Sequence, residues 1–215
     1  MNSLLIETST EQGISNLYSN ENVLLHSALS SGFQHSRYLV SEIEEGLKKA
    51  QLSISDLSFI AVGVGPGSYT GVRVGVMVAK AFSFACKTPL VSLSSLEGIV
   101  PPIDGPFVAA LDAKMSGAYV LFSEKKHNQI KHLSLPEVIS LECLSERIVA
   151  DTLIASPHAL ILEKKWHEKK LKGSIQFVET EINPHYLIKT AYDRFQKGIV
   201  VNDRTIDIRY LRKWE

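Results

Sequence analysis

The sequence predicts an α/β fold made of two halves of one kind. Each half opens with a group of strand-like runs and turns to helices afterwards. A glycine-rich turn, Gly63 to Gly75, separates an apolar run of strand length from one of helix length. A proline-rich stretch at 101–105 then divides the chain. It leaves an N-terminal half over 1–100 and a smaller, degenerate C-terminal half over 106–215. The total of 215 residues suits one domain or two small ones, with room for a sizeable core.

The elements follow in order. Leu4–Glu7, Gly13–Tyr18 and Val23–Leu29 read as three short strands. Thr8 to Gln12 and Ser19 to Asn22 supply the polar turns between them. His35 to Leu52 reads as an amphipathic helix, with Leu39, Ile43, Leu47 and Ala50 at helical spacing. A strand at 59–64, the glycine turn, a helix at 71–86 and a strand at Leu90–Leu93 complete the first half. This βββαβαβ order is not a simple alternation of strand and helix. It resembles the ribonuclease-H-like subdomain of the actin and sugar-kinase ATPase superfamily. In the second half, Phe107–Asp112, Tyr119–Phe122 and Ile130–Leu133 read as strands, with a hairpin turn at Lys125–Asn128. Pro136 is placed at the first turn of a helix. A strand at Leu153–Ala155 and helices at Leu160–Leu171 and His185–Gln196 follow, the last introduced by Asn183-Pro184 and ended by Gly198.

Bulk properties exclude some functions. Lys plus Arg number 23 and Asp plus Glu 23, a formal net charge of zero. Binding nucleic acid by charge alone is therefore not expected of this chain. The longest apolar stretch, Val72 to Cys86, is interrupted by Arg73, Lys80 and Ser83, so no membrane span is expected. No signal peptide is expected either, because the chain starts directly in a strand-like run. The two cysteines, Cys86 and Cys143, form no CxxC, which fits a reducing, cytoplasmic setting.

Residues 63–75 read G-V-G-P-G-S-Y-T-G-V-R-V-G. A glycine-rich turn leading into a helix can aim backbone N–H groups at an anion. The known phosphate motifs fail on spacing. A Walker loop needs Lys-Ser/Thr after its last glycine, but Val72-Arg73 follow Gly71. A dinucleotide fingerprint starting at Gly65 and Gly67 needs glycine where Thr70 stands. A nucleophile elbow around Ser68 needs glycine where Pro66 stands. The glycines then serve either a tight turn and close packing or a nucleotide-proximal loop of Gly65, Gly67, Ser68, Thr70 and Gly71. Ser68 and Thr70 either cap the helix or line that loop. Glu7 and Asp112, at strand ends, either cap turns or serve a nucleotide.

Several stretches together resemble the TsaB (YeaZ) family. They are Glu7-Thr8-Ser9-Thr10, His35-Ser36-Arg37-Tyr38-Leu39, Gly65 to Gly75, Ser92 to Leu96, Asp112-Ala113-Lys114-Met115 and Tyr210-Leu211-Arg212. The glycine segment is the specific one, and the order of the others agrees. Two departures stand out. The family has Asp at Glu7, a side chain shorter by one C–C bond, about 1.5 Å. The family's proline before Tyr-Leu-Arg is missing from Asp207-Ile208-Arg209-Tyr210.

The resemblance implies two ribonuclease-H-like subdomains of the actin-like ATPase type. It implies a non-catalytic scaffold for N6-threonylcarbamoyladenosine (t6A) formation, next to the anticodon of tRNA. The partners implied are the catalytic TsaD-type subunit, the small ATPase subunit TsaE, and a second copy of this chain when alone. Contact with tRNA would come only through the complex. ATP or ADP and metal are expected in the partner subunits, and no cofactor or metal in this chain. The sister enzyme holds its metal with H-x-x-x-H on a helix, two ligands on one face. Here His35 is followed at that spacing by Leu39. His167-Glu168 starts like H-E-x-x-H but reaches Leu171, so a metalloprotease is not expected. Gly71, Gly75 and Ala79 recur every four residues on the second helix, giving a smooth face. The expected partner interface is Leu39, Ile43, Gly71, Val72, Gly75, Val76 and Ala79. The segment Lys164 to Lys172 is locally basic and reads as a solvated face or a minor tRNA contact. The alternative reading is an independent small-molecule kinase or ATPase, which needs a phosphate loop and carboxylates in both halves.

Overall fold

A computed structural model describes residues 1–29, 35–114, 117–149, 152–171 and 175–211, with backbone only at 28–29 and 35–37. Met115, Lys172 and Arg212 therefore lie outside the described residues, as do the side chains of His35, Ser36 and Arg37. The chain forms two compact units. Unit 1 comprises Met1–Ser95 and Pro184–Arg209; unit 2 is chiefly Leu96–Asn183.

In unit 1, β1 (Asn2–Glu7), β2 (Gly13–Ser19) and β3 (Asn22–Leu29) form an antiparallel meander. After α1 (His35–Lys49), β4 (Leu57–Gly63) joins β1 in parallel. After α2 (Tyr69–Cys86), β5 (Leu90–Leu93) joins β4 in parallel. The order is β3-β2-β1-β4-β5. Side chains alternate between the two faces of a strand. Ile60 and Val62 accordingly join Leu4, Ile6 and Leu17 in a core under α1 and α2, which contribute Leu39, Ile43, Val72 and Val76. Phe59 points the other way and meets α5 (Pro184–Gln196), edge-on to Tyr192 at 5.1 Å and stacked on Phe195 at 4.8 Å.

Unit 2 repeats the plan. The strands β6 (Gly105–Asp112), β7 (Ala118–Lys126) and β8 (Gln129–His132) form a second meander. The strand β9 (Glu137–Ile139) also pairs with β7. Then come α3 (Leu141–Arg147), β10 (Leu153–Ser156), α4 (Ala159–Glu168) and β11 (Gln176–Glu179). The last two strands add in parallel, so the order is β11-β10-β6-β7-β8. Read from β8, this is the first sheet again. Both sheets have the ribonuclease-H-like strand order, an antiparallel meander extended by two parallel strands. Val108, Val120, Leu144, Ile154, Leu162 and Trp166 fill the second core.

Three expectations are corrected. The division falls after Ser95, not at 101–105. Lys125 explains this: buried on β7, it donates to the carbonyls of Pro101 and Pro102, both at 2.8 Å, and so fixes the proline stretch to unit 2. The C-terminal half does not run to 215 as a separate body either. Pro184–Arg209 returns to unit 1, because α5 buries Leu187, Ile188, Ala191 and Tyr192 there. Lastly, Pro136 opens no helix. It leads into β9, and α3 begins later, capped by Ser140, whose Oγ accepts from the Cys143 N–H at 3.2 Å. A proline suits the start of an edge strand as well as a helix.

Candidate functional site

The glycine turn joins the carboxyl end of β4 to α2. Gly65 has φ of +91°, which L side chains rarely adopt. Gly67 lies so close to the turn after β1 that a Cβ there would come within 2.5 Å of the Ser9 carbonyl oxygen. That carbonyl accepts the Ser68 N–H at 2.7 Å. Ser68 is the N-cap of α2: its Oγ accepts the Gly71 N–H at 3.3 Å, and its carbonyl accepts from Val72 at 2.9 Å. Thr8 hooks the other side of the turn, donating from Oγ1 to the Gly71 carbonyl at 2.8 Å. Gly65, Gly67, Ser68, Thr70 and Gly71 are thus gathered at one place. The capping reading holds for Ser68, while Thr70 is exposed.

Beneath the turn lies Glu7, with no exposed surface. Its Oε1 accepts the Ser9 N–H at 2.7 Å. Burial pushes its pKa above the ordinary glutamate value, against the pull of the Ser9 and Ser95 hydroxyls and the Ser9 and Thr8 N–H groups. The Glu7 carboxyl packs directly on Gly63, where any Cβ would collide with it. The corresponding strand end in unit 2 is different. Asp112 Oδ1 accepts from Lys165 at 2.5 Å and from the Lys114 N–H at 3.1 Å, so it caps a turn and pairs with a cation. The Asp112 N–H donates to His158 Nδ1 at 3.1 Å.

The smooth face of α2 is corrected. Gly75 and Ala79 are buried, and a Cβ on Gly75 would strike Thr8 Oγ1 and lie 3.3 Å from Ile6 Cγ2. A Cβ on Gly71 would strike the Thr8 carbonyl. The close neighbour is β1 of the same chain. Leu39, Ile43, Val72 and Val76 are 0–3% exposed and belong to the same core. Six of the seven expected residues are buried within unit 1, and Gly71 is half-buried against Thr8. The outward side of α2 carries Arg73, Met77, Ala81 and Phe84, spaced to share one side, with Met77 62% and Phe84 61% exposed. Tyr69 lies under the Arg73 guanidinium, 3.6 Å from ring centroid to carbon. On α1, which packs beside α2, Tyr38 and Val40 are also exposed.

Sequence reasoning missed the burial of Glu7 and the insertion of Thr8 between β1 and α2. The available signal was the pair of glycines, Gly63 and Gly75, facing them. The basic segment is largely spent on local pairs: Lys165 with Asp112, Lys169 with Glu142 at 2.6 Å, and Lys164 with Glu168 at 3.9 Å. At the far end of α2, a groove of 650 Å³ runs between Ser83, Lys87–Pro89 and Val200–Thr205. Among the described residues, no cluster of three or more His, Cys, Asp or Glu is placed to hold a metal, and no helix is long and apolar enough to cross a membrane.

Comparison with known proteins places the chain. Residues 30–191 match the family described as "TsaD: tRNA N6-adenosine threonylcarbamoyltransferase". The tRNA threonylcarbamoyladenosine biosynthesis protein TsaB of Haemophilus influenzae is 29% identical, over 97% of this chain and 92% of its own length. The TsaB of Escherichia coli is also 29% identical, over 69% of this chain and 66% of its own. The solved structure of YeaZ from Pseudomonas aeruginosa superposes with a TM-score of 0.80, covering 98% of this chain and 99% of that one at 21% identity, a likeness of fold.

Proposed function

The chain belongs to the TsaB (YeaZ) family of t6A biosynthesis proteins, and on that premise we propose that it is the non-catalytic scaffold subunit of the pathway. It pairs with a catalytic TsaD-type subunit, which carries the transfer of a threonylcarbamoyl group from an adenylate to the adenosine next to the anticodon. The ATPase subunit TsaE completes the assembly. Alone, the chain pairs with a second copy. Nucleotide and metal act in the partner subunits, and tRNA is met through the complex.

The observation that carries this reading is Leu39. It stands one helical turn after His35, and its side chain is fully buried in the core beside Ile43. A side chain so placed has no ligating atom and no access to a metal. The support for pairing is the outward side of α2, with Met77 and Phe84 largely exposed on a rigid helix. Large apolar side chains grouped on one face are suited to a protein partner. The sister subunit is expected to cover this side, in place of the Gly71/Gly75/Ala79 face, which packs within unit 1.

Reconstitution tests the proposal. TsaD-type subunit, TsaE, tRNA, ATP and the threonylcarbamoyl adenylate are combined with and without this chain. The modified adenosine should form only when the chain is present, and the chain alone should form none. Transfer by the isolated chain, or undiminished product without it, overturns the scaffold role.

A further inference from the structure

Three strand ends converge beneath the glycine turn. The strand β1 ends at Glu7, β4 at Gly63, and β5 at Leu93, two residues before Ser95. Glu7 Oε2 is buried and has no hydrogen-bond partner. The hydroxyls of Ser9 and Ser95 act on the same carboxyl, yet neither is in hydrogen-bond geometry, and both are buried without a partner. Three buried polar atoms around one carboxyl are thus left without a hydrogen-bond partner.

Among the described residues, no charge balances the carboxyl. Among the described residues, the ionisable side chains on the segments around it are Glu11 in the turn after β1, Tyr18 of β2, Tyr69, Arg73, Lys80 and Cys86 of α2, Glu97 after β5, and Asp207 and Arg209 of the segment bonded to Val64; β4 and β5 carry none. None of them is among the described groups that act on Glu7, which are the Ser9 and Ser95 hydroxyls and the Ser9 and Thr8 N–H groups. A carboxylate taken wholly out of water without a counter-charge is strongly disfavoured against its neutral form. A neutral carboxyl has one O–H to donate, and a serine hydroxyl oxygen accepts it.

We propose that Glu7 stands as the neutral carboxylic acid at neutral pH, its Oε2 proton donated to the Ser9 or Ser95 hydroxyl, and that this clasp fixes the glycine turn to β1 and to the segment after β5. The connections run directly through its partners. The Ser9 carbonyl holds the Ser68 N–H at 2.7 Å, and the Ser95 N–H holds the Gly65 carbonyl at 3.1 Å. When Glu7 ionises, the proton leaves to solvent and water must enter to solvate the charge. The turn and the first residues of α2 then lose their anchor.

The sign follows from linkage. Burial raises the folded-state pKa of Glu7 above its unfolded value. The stabilising contribution is whole below the ordinary glutamate pKa, about 4.3, and is lost as pH rises through the folded-state value. Equilibrium unfolding of the full chain is measured across this range for wild type and Glu7→Gln, which keeps a neutral side chain at every pH. The folded-to-unfolded ratio of wild type, relative to the variant, should fall about tenfold per pH unit over the window and level off above it. Profiles that run parallel throughout overturn the proposal. Infrared difference spectra at neutral pH, wild type minus variant, should show the C=O stretch of a neutral carboxyl. Its absence likewise overturns the proposal. If Glu7→Gln does not fold, Glu7→Ala replaces it in the difference spectrum.

Discussion

A Cβ added at Gly75 would run into Thr8 Oγ1, just past the end of β1, so this position measures how tightly α2 sits on its own sheet. Gly75→Leu is expected to lower the unfolding free energy by at least about 1–3 kcal/mol, the usual cost of overpacking. Urea denaturation checks this, and an unchanged midpoint would mean that the helix is free to move off β1. Ser68→Ala removes the α2 cap and should cost about 1 kcal/mol in the same assay. The sequence announces that something approaches the Gly71/Gly75/Ala79 stripe, but not what. A strand of the same chain and a helix of another subunit leave the same small residues behind. Glu7 was hidden for a related reason: a carboxylate after a strand usually caps a turn, as Asp112 does with the Lys114 N–H. Only Gly63, stripped of a side chain beside it, marks the difference.

The two sides of α2 answer to different demands, and substitutions should separate them. Met77→Glu and Phe84→Glu alter exposed positions of a well-formed helix. Each should change stability by no more than about 0.5 kcal/mol. Each should nonetheless abolish association with the TsaD-type subunit and with it the modification of tRNA. Sedimentation of mixtures, alongside thermal unfolding of each variant, checks both halves of the expectation; full pairing by both variants would move the interface elsewhere. Most elements were legible in the sequence because they are long or strongly patterned. The strands β1 to β4 and the helices α1, α2 and α5 fall close to where spacing puts them. The misses are short. Gln176–Glu179 is a four-residue edge strand with exposed ends, and Glu137–Ile139 is three residues after a proline. Such segments become strands because a neighbour offers hydrogen bonds, as β10 and β7 do here, and not through any pattern of their own.

At the scale of the whole molecule, charge and chain path matter most. With a formal net charge of zero and Lys165 and Lys169 engaged by carboxylates, tRNA binding by the isolated chain should be weak and steeply salt-dependent. Filter binding checks this, and a tight complex at physiological salt would contradict it. The path of the chain sets a second expectation. A fragment ending at residue 100 should not fold, since it lacks the Tyr192 and Phe195 rings that cover Phe59 and the Leu90–Val201 bridge that closes the sheet edge. Joining Met1–Ser95 to Pro184–Arg209 through a flexible linker should restore a cooperative unfolding transition. The sequence suggested a cut at the prolines because prolines mark loops; it carried no sign that the last helix goes back to the first sheet. That return also orders the birth of the protein. On the ribosome, the body of unit 2 is complete once Asn183 has emerged, whereas unit 1 waits for Pro184–Arg209. The half of the chain made first is therefore the half finished last, and until α5 emerges its sheet stands with the Phe59 face bare to any chaperone nearby.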